Sequence, residues 1–184
     1  GQARYAPASS IAVVPRARDL WRHDLEGLEA RVPSLDSFGT VKVKDDPLRR
    51  LEDGHARWRA WQAATLAYCA GLVRGALEIA FAHARERVQF GRPLAALPVV
   101  QQRLADLALL RDGLELSARA VGSYEDLGPS LVWACREIQV ATGSAQQMCG
   151  ALGFTIEFPI HRYHLRAKAL AVWTFEALRS YEAS

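Results

Sequence analysis

The chain changes character at about Gly54: beyond it, long stretches of helical periodicity are interrupted only by a few glycines and prolines. The first stretch runs to about Arg87, where Gly91 and Pro93 stop it. Pro98 suits the first turn of a second helix, where a missing N–H costs nothing, and Val100, Leu104, Leu107, Leu110 and Leu114 recur along it as one apolar stripe. Pro129 opens a third helix that ends near Gly150, and a fourth runs from about Ile160 to Tyr181. Helices joined by such short connections predict a mainly α fold, an up-and-down four-helix bundle. Ala63, Ala67, Ala70, Gly71 and Gly75 form a line of small side chains along the first helix, where another helix can approach closely.

The first 50 residues read differently. Ile11–Val14 is strand-like and is expected to stop at Pro15; Asp36–Gly39 reads as a turn leading into an alternating strand, Thr40–Lys44. Two strands with this much loop cannot form a stable sheet alone. Residues 1–50 are therefore expected to be the remnant of a β-domain, and residues 51–184 an α-helical bundle domain.

Half of the 184 residues are apolar and 23% are charged, enough for one sizeable core. The net charge of +3 comes from cations interleaved with acids, which argues against nucleic acid as a partner. No unbroken run of about 18 apolar residues occurs, so no membrane span is expected and the cytoplasm is the expected location. Cys69, Cys135 and Cys149 stand at no metal-ligand spacing and are expected to be reduced core residues. His161 and His164 are three apart, but no carboxylate or cysteine completes a metal set in sequence. Trp58, Trp61, Trp133, Trp173 and Phe175 recur within helices and are expected to serve core or interface packing.

Two segments exceed generic helix: Arg87-Val-Gln-Phe-Gly91 at a helix end, and Gln147-Met-Cys-Gly-Ala-Leu-Gly153, which runs on to Glu157-Phe-Pro159. In combination they resemble the acyl-CoA dehydrogenase family, with its R-x-x-F-G helix end and its Q-x-x-G-x-x-G turn before an E-Y/F-P segment. The residues from Pro33 to Pro47 look like the last strands of that family's central β-domain. The resemblance implies FAD as cofactor, with Arg87, Gln89 and Phe90 at its adenine and pyrophosphate half and Gln147 and Gly150 facing them from the turn. Arginine and close-approaching backbone suit a pyrophosphate. The ordinary alternatives are a helix-terminal cation for Arg87 and helix-stop glycines for Gly150 and Gly153.

The family's oxidation of an acyl-CoA thioester needs a carboxylate base. Carrying the family pattern along Arg162 to Lys168 puts the usual base position on Thr174, and the alternative position on the first helix falls on Trp61. Neither can take the proton. Gln62 stands where an arginine is usual, Pro98 where a glutamine is usual, and Leu165-Arg166 where the pattern has R-D. Glu176 lies two residues past Thr174, about 200° around the helix, which makes it a poor substitute base. The resemblance also implies that the N-terminal helical domain and part of the β-domain are missing from this chain.

Two readings follow. In the first, the chain is a flavoprotein subunit or fragment, an oligomer with itself or with a family member, that contributes to an FAD site without its own base. In the second, it is a flavin-free lyase, dehydratase or cyclase, and a pocket of Trp61, Gln62, Trp173 and Thr174 binds a small apolar or acyl substrate.

Overall fold

The computed structural model describes residues 2–4, 11–24, 40–42, 49–120 and 126–183. Its described residues form two compact units, Gly1–Trp61 with Val172–Ser184, and Gln62–Ala171. This division by compactness does not follow the change of composition near residue 50, because the first and last helices each supply residues to both units.

In the first unit, β1 (Gln2–Arg4) pairs antiparallel with β4 (Thr40–Lys42), and β2 (Ile11–Arg16), β3 (Asp19–Asp24) and β5 (Arg49–Arg50) form an antiparallel sheet in the order β2-β3-β5. The expected stop at Pro15 is corrected: β2 continues to Arg16, and Pro15 stands opposite Leu20. This sheet is antiparallel and β2 is its edge, where a missing N–H is tolerated. The expected turn at Asp36–Gly39 and residues 43–44 lie outside the described residues. The β2–β3 hairpin turns on Ala17 and Arg18, both left-handed with φ +50° and +62°. Such a turn suits the twist of a hairpin, although glycine and asparagine usually supply it. The amides of Ala17 and Arg18 donate to the carbonyls of Ser180 and Tyr181 at 3.2 and 2.7 Å, so the turn caps the C-terminus of the last helix. Trp58 is buried here, stacked on Trp61 at 4.6 Å and on Tyr181 at 4.1 Å between ring centroids.

The four expected helices are α1 (Gly54–Glu86), α2 (Pro98–Arg119), α3 (Gly128–Met148) and α4 (Ile160–Glu182). Pro98 stands in the first turn of α2, where the carbonyl of Leu97 accepts the Val100 and Gln101 amides. The Asp126 carboxylate accepts the Gly128 amide at 2.8 Å and so serves one of α3's otherwise unpaired N-terminal donors. Gly113 of α2 lies beside Trp133 of α3, while Arg103, earlier in α2, bonds Gln147, later in α3, so these helices run antiparallel. His164 near the start of α4 bonds Thr142 near the end of α3, and Arg74 of α1 pairs with Glu115 of α2. The order is up-down-up-down.

The core of this unit includes Leu66, Val73, Leu114, Leu131, Ile138 and Ile160, with the stripe residues Leu104 and Leu107 also buried. The line of small residues is only partly a packing line. A Cβ on Gly75 would lie 2.6 Å from the Tyr163 hydroxyl oxygen, whereas Gly71 is exposed with nothing within 4 Å. Trp133 is 42% exposed and lies beside Gly113 of α2, outside the core. By length and composition alone α1 is apolar enough to cross a membrane, yet its Leu66, Leu72, Val73 and Leu77 are buried inside the protein. None of the three cysteines forms a disulfide, and all three are buried. A hydrogen bond with Cys135, then burial, raises the Cys69 thiol well above its ordinary value, and burial pushes Cys149 up to about 11.

Candidate functional site

Because consecutive helices reverse direction, the end of α1, the start of α2, the end of α3 and the start of α4 share one end of the bundle. Two contacts bear this out: the His83 and Phe158 rings meet edge to face at 5.8 Å, and Arg103 Nη1 donates to Gln147 Oε1 at 3.2 Å. The two motifs recognised in the sequence, separate along the chain, therefore meet at a single end.

The first motif is a tight hairpin. The Arg87 amide closes α1 on the carbonyl of His83 at 2.9 Å, and the Arg87 carbonyl accepts the Leu94 amide at 2.8 Å. Between these bonds β6 (Val88–Gln89) pairs with β7 (Arg92–Pro93) around Phe90 and Gly91, whose φ values are +54° and +75°. Glycine takes this conformation freely; a phenylalanine there is strained, by roughly 1–3 kcal/mol, and the residue is 86% exposed. Gln89 and the Arg87 side chain are also exposed.

The second motif is built around Gln146, which sequence reasoning passed over in favour of its neighbour. The buried Gln146 Nε2 donates to the Gly153 carbonyl at 2.8 Å, folding the 3-10 turn Gly150–Phe154 back onto the end of α3. Gly153 is buried against the Gln146 backbone, too close for any Cβ. Gly150 has φ +62° and open space around it, and Gln147 faces solvent with its oxygen taken by Arg103. The buried positions Ile138, Thr142, Ala145 and Cys149 follow helical spacing, and that phase could have identified Gln146 as the inward member of the pair.

This end offers the Arg87 and Arg103 guanidiniums, the Gln147 carboxamide and two left-handed glycines, Gly91 and Gly150, at which nothing lies within 4 Å of a Cβ position. Exposed Phe90, Phe154 and Ile156 add apolar surface. No carboxylate stands in residues 87–93 or 146–154. The arrangement can bind an anionic, partly planar ligand; these segments supply no carboxylate to accept a proton from one.

The expected pocket residues are distributed differently. Trp61, Trp173 and Thr174 belong to the first unit, and Gln62, buried at 2% exposure, begins the second. Trp61 is one ring of the stack with Trp58. Thr174 is fully buried and its hydroxyl has no hydrogen-bond partner, while Glu176 is exposed. An orphaned hydroxyl carries an uncompensated desolvation penalty. Thr174→Val, which keeps the shape, is expected to raise stability by about 1 kcal/mol in urea unfolding; a loss of stability would show that the hydroxyl is bonded in solution.

His164 does not pair with His161. Its Nδ1 lies 3.2 Å from the Thr142 hydroxyl, which itself donates to the Ile138 carbonyl at 2.7 Å, so the imidazole is the donor of the pair. Burial, then the charge of Lys168, lowers the His164 pKa below 6.5. A lowered histidine pKa means the fold prefers the neutral ring. Stability should hold above about pH 6.5 and fall as the pH drops from there through the folded-state value. His23, lowered by burial, contributes with the same sign. Comparing denaturation midpoints of wild type and His164→Gln from neutral to mildly acidic pH isolates the first group; parallel curves would remove His164 from the account. Among the described residues no group of three or more His, Cys, Asp and Glu side chains is placed to hold a metal.

The family model for the acyl-CoA dehydrogenase C-terminal domain matches residues 60–174. A probable acyl-CoA dehydrogenase, FadE25, of Mycobacterium tuberculosis is 32% identical over 116 residues, which cover 58% of this chain and 30% of that protein. A 3-sulfinopropanoyl-CoA desulfinase of Paraburkholderia xenovorans is 27% identical over 146 residues, 73% of this chain and 37% of its own length. Among solved structures, a chain of the ChsE4–ChsE5 complex from Mycobacterium tuberculosis superposes with a TM-score of 0.70 at 23% identity, over 97% of this chain and 57% of that one. The chain thus spans about a third of these curated relatives and somewhat over half of the solved one.

Proposed function

Since the chain belongs to the acyl-CoA dehydrogenase family, matching its C-terminal domain over residues 60–174, we propose that it serves as the non-catalytic contributor to a shared flavin site. In this reading Arg87, Gln89 and Phe90 meet the adenine and pyrophosphate part of FAD, and Gln147 and Gly150 meet it from the facing turn. One observation carries the proposal: up-and-down topology brings both motifs to the same end, with open backbone at Gly91 and Gly150. The residues present fit the group, because a pyrophosphate is matched by guanidinium and N–H donors and its close approach by glycine.

FAD, when bound, would supply hydride acceptance. What this chain supplies is grip: Arg87 offers charge, Phe90 a ring face, and Gln147 a hydrogen bond. It supplies no base at the family positions, since Trp61 is engaged in an aromatic stack and Thr174 is a hydroxyl sealed from solvent. The proton of an acyl-CoA oxidation would then be removed by a carboxylate of a partner chain, in a soluble cytoplasmic hetero-oligomer of family members. The ChsE4–ChsE5 structure is a complex of two different chains, which supports such pairing.

The test is the visible absorption spectrum of the purified chain with FAD, alone and with a longer family member, followed through gel filtration. Retained oxidised-flavin bands that Arg87→Ala removes are expected. A protein that stays colourless in both mixtures would overturn the proposal. In that event the flavin-free reading gains weight, with a small apolar or acyl ligand and lyase-type chemistry. The buried, unpartnered Thr174 hydroxyl favours it, and the desulfinase relative carries a name outside dehydrogenation.

A further inference from the structure

We infer that Arg103 is a positioning residue that fixes the Gln147 carboxamide in one orientation, so that its NH2 group and not its oxygen is available to a bound anion. This rests on the reading of Gln147 as a ligand contact and adds a residue and a polarity to it.

A glutamine amide can present either end, as donor or as acceptor, and an exposed one has little reason to choose. A guanidinium only donates. With Arg103 Nη1 3.2 Å from Gln147 Oε1, the oxygen is committed to arginine and Nε2 is left as donor. Without Arg103 the opposite choice would be favoured. Gln147 lies in the last turn of α3, and helix-end carbonyls, which have few intrahelical donors, attract an NH2 group. The two side chains come from different helices, and their spacing is held by α2–α3 packing, which also puts the Trp133 ring 3.8 Å from where a Cβ on Gly113 would stand. Arg103 is half-buried, so its own position is partly fixed. The consequence is one more donor at this end: Gln147 Nε2, beside Arg87 and the remaining N–H groups of Arg103. That polarity suits phosphate oxygens and disfavours ligands whose contacts there would be donors.

The experiment follows the Gln147 side-chain amide in isotope-labelled protein by NMR, assigned with Gln147→Ala, while ADP is titrated as probe. Arg103→Met is expected to shift the Gln147 NH2 signals before nucleotide is added and to weaken ADP binding about five- to tenfold. Arg103→Lys, also a pure donor, should keep both the signals and the affinity within about threefold of wild type. In the Gln147→Ala background Arg103→Met should have little further effect, the sign of coupling. Unmoved Gln147 signals in Arg103→Met, or an equal loss of affinity with and without Gln147, would overturn the positioning role while leaving Gln147 as a contact. Full ADP affinity in Gln147→Ala, or no ADP binding by the wild type, would instead remove the reading on which the inference rests.

Discussion

Gly153→Ala is expected to lower the stability of the chain by about 2–3 kcal/mol, the range of overpacking at a site that cannot yield. The added methyl would sit 3.1 Å from Cys149 Cβ and from the carbonyl carbon of Gln146, and nearer still to the Gln146 oxygen. These are mostly backbone atoms at the end of α3, so no rotamer change makes room. The Gln146–Gly153 hydrogen bond would lengthen in the process, exposing a buried donor to the cost of an unmade bond. Gly71→Ala is the control: it is an exposed position inside α1 with nothing near its Cβ, and alanine there should stabilise by roughly 0.5–1 kcal/mol. Urea unfolding of both variants reads the contrast. A loss at Gly153 below about 0.5 kcal/mol would mean that the turn relaxes freely, and it could not then hold Gly150 in place.

Ile138→Ala should cost about 3 kcal/mol, whereas Val140→Ala, two residues away, should change stability by less than about 0.5 kcal/mol. Ile138 is fully buried, and removing its methyl groups leaves a cavity; Val140 is 69% exposed and packs little. The same α3 ends in Gln147, so the two variants also ask whether the site depends on the bundle. With Ile138→Ala, ADP affinity should fall as unfolded chain accumulates near the denaturation midpoint, and should be retained well below it. Equal stability of the two variants would refute the helix phase described here.

Helices were readable from the chain because the signals that make them are local. Proline at Pro98, glycine near Gly91 and Gly150, and a stripe spaced as Leu104, Leu107 and Leu114 act within a turn or two, and the observed bounds follow them closely. The strands were less readable. Asp19–Asp24 has no alternation of apolar residues, and its identity as a strand rests on partners at Ile11–Arg16 and Arg49–Arg50 that pattern alone does not pair. Pro15 misled for the same reason, since whether a proline ends a strand depends on whether its missing N–H faces a neighbour.

The site divides along the same line. The residue types in Arg87–Gly91 and Gln147–Gly153, and the lack of a carboxylate at Trp61 and Thr174, are properties of the sequence, fixed by covalent chemistry before any folding. Three things waited for the tertiary structure: that the two motifs share one end, that Gln146 and not Gln147 builds the turn, and that Arg103 holds the Gln147 oxygen. Each is a relation between residues whose distance in space is set by helix reversal and side-chain packing. Sequence separation carries no information about such distances until the core of the bundle closes.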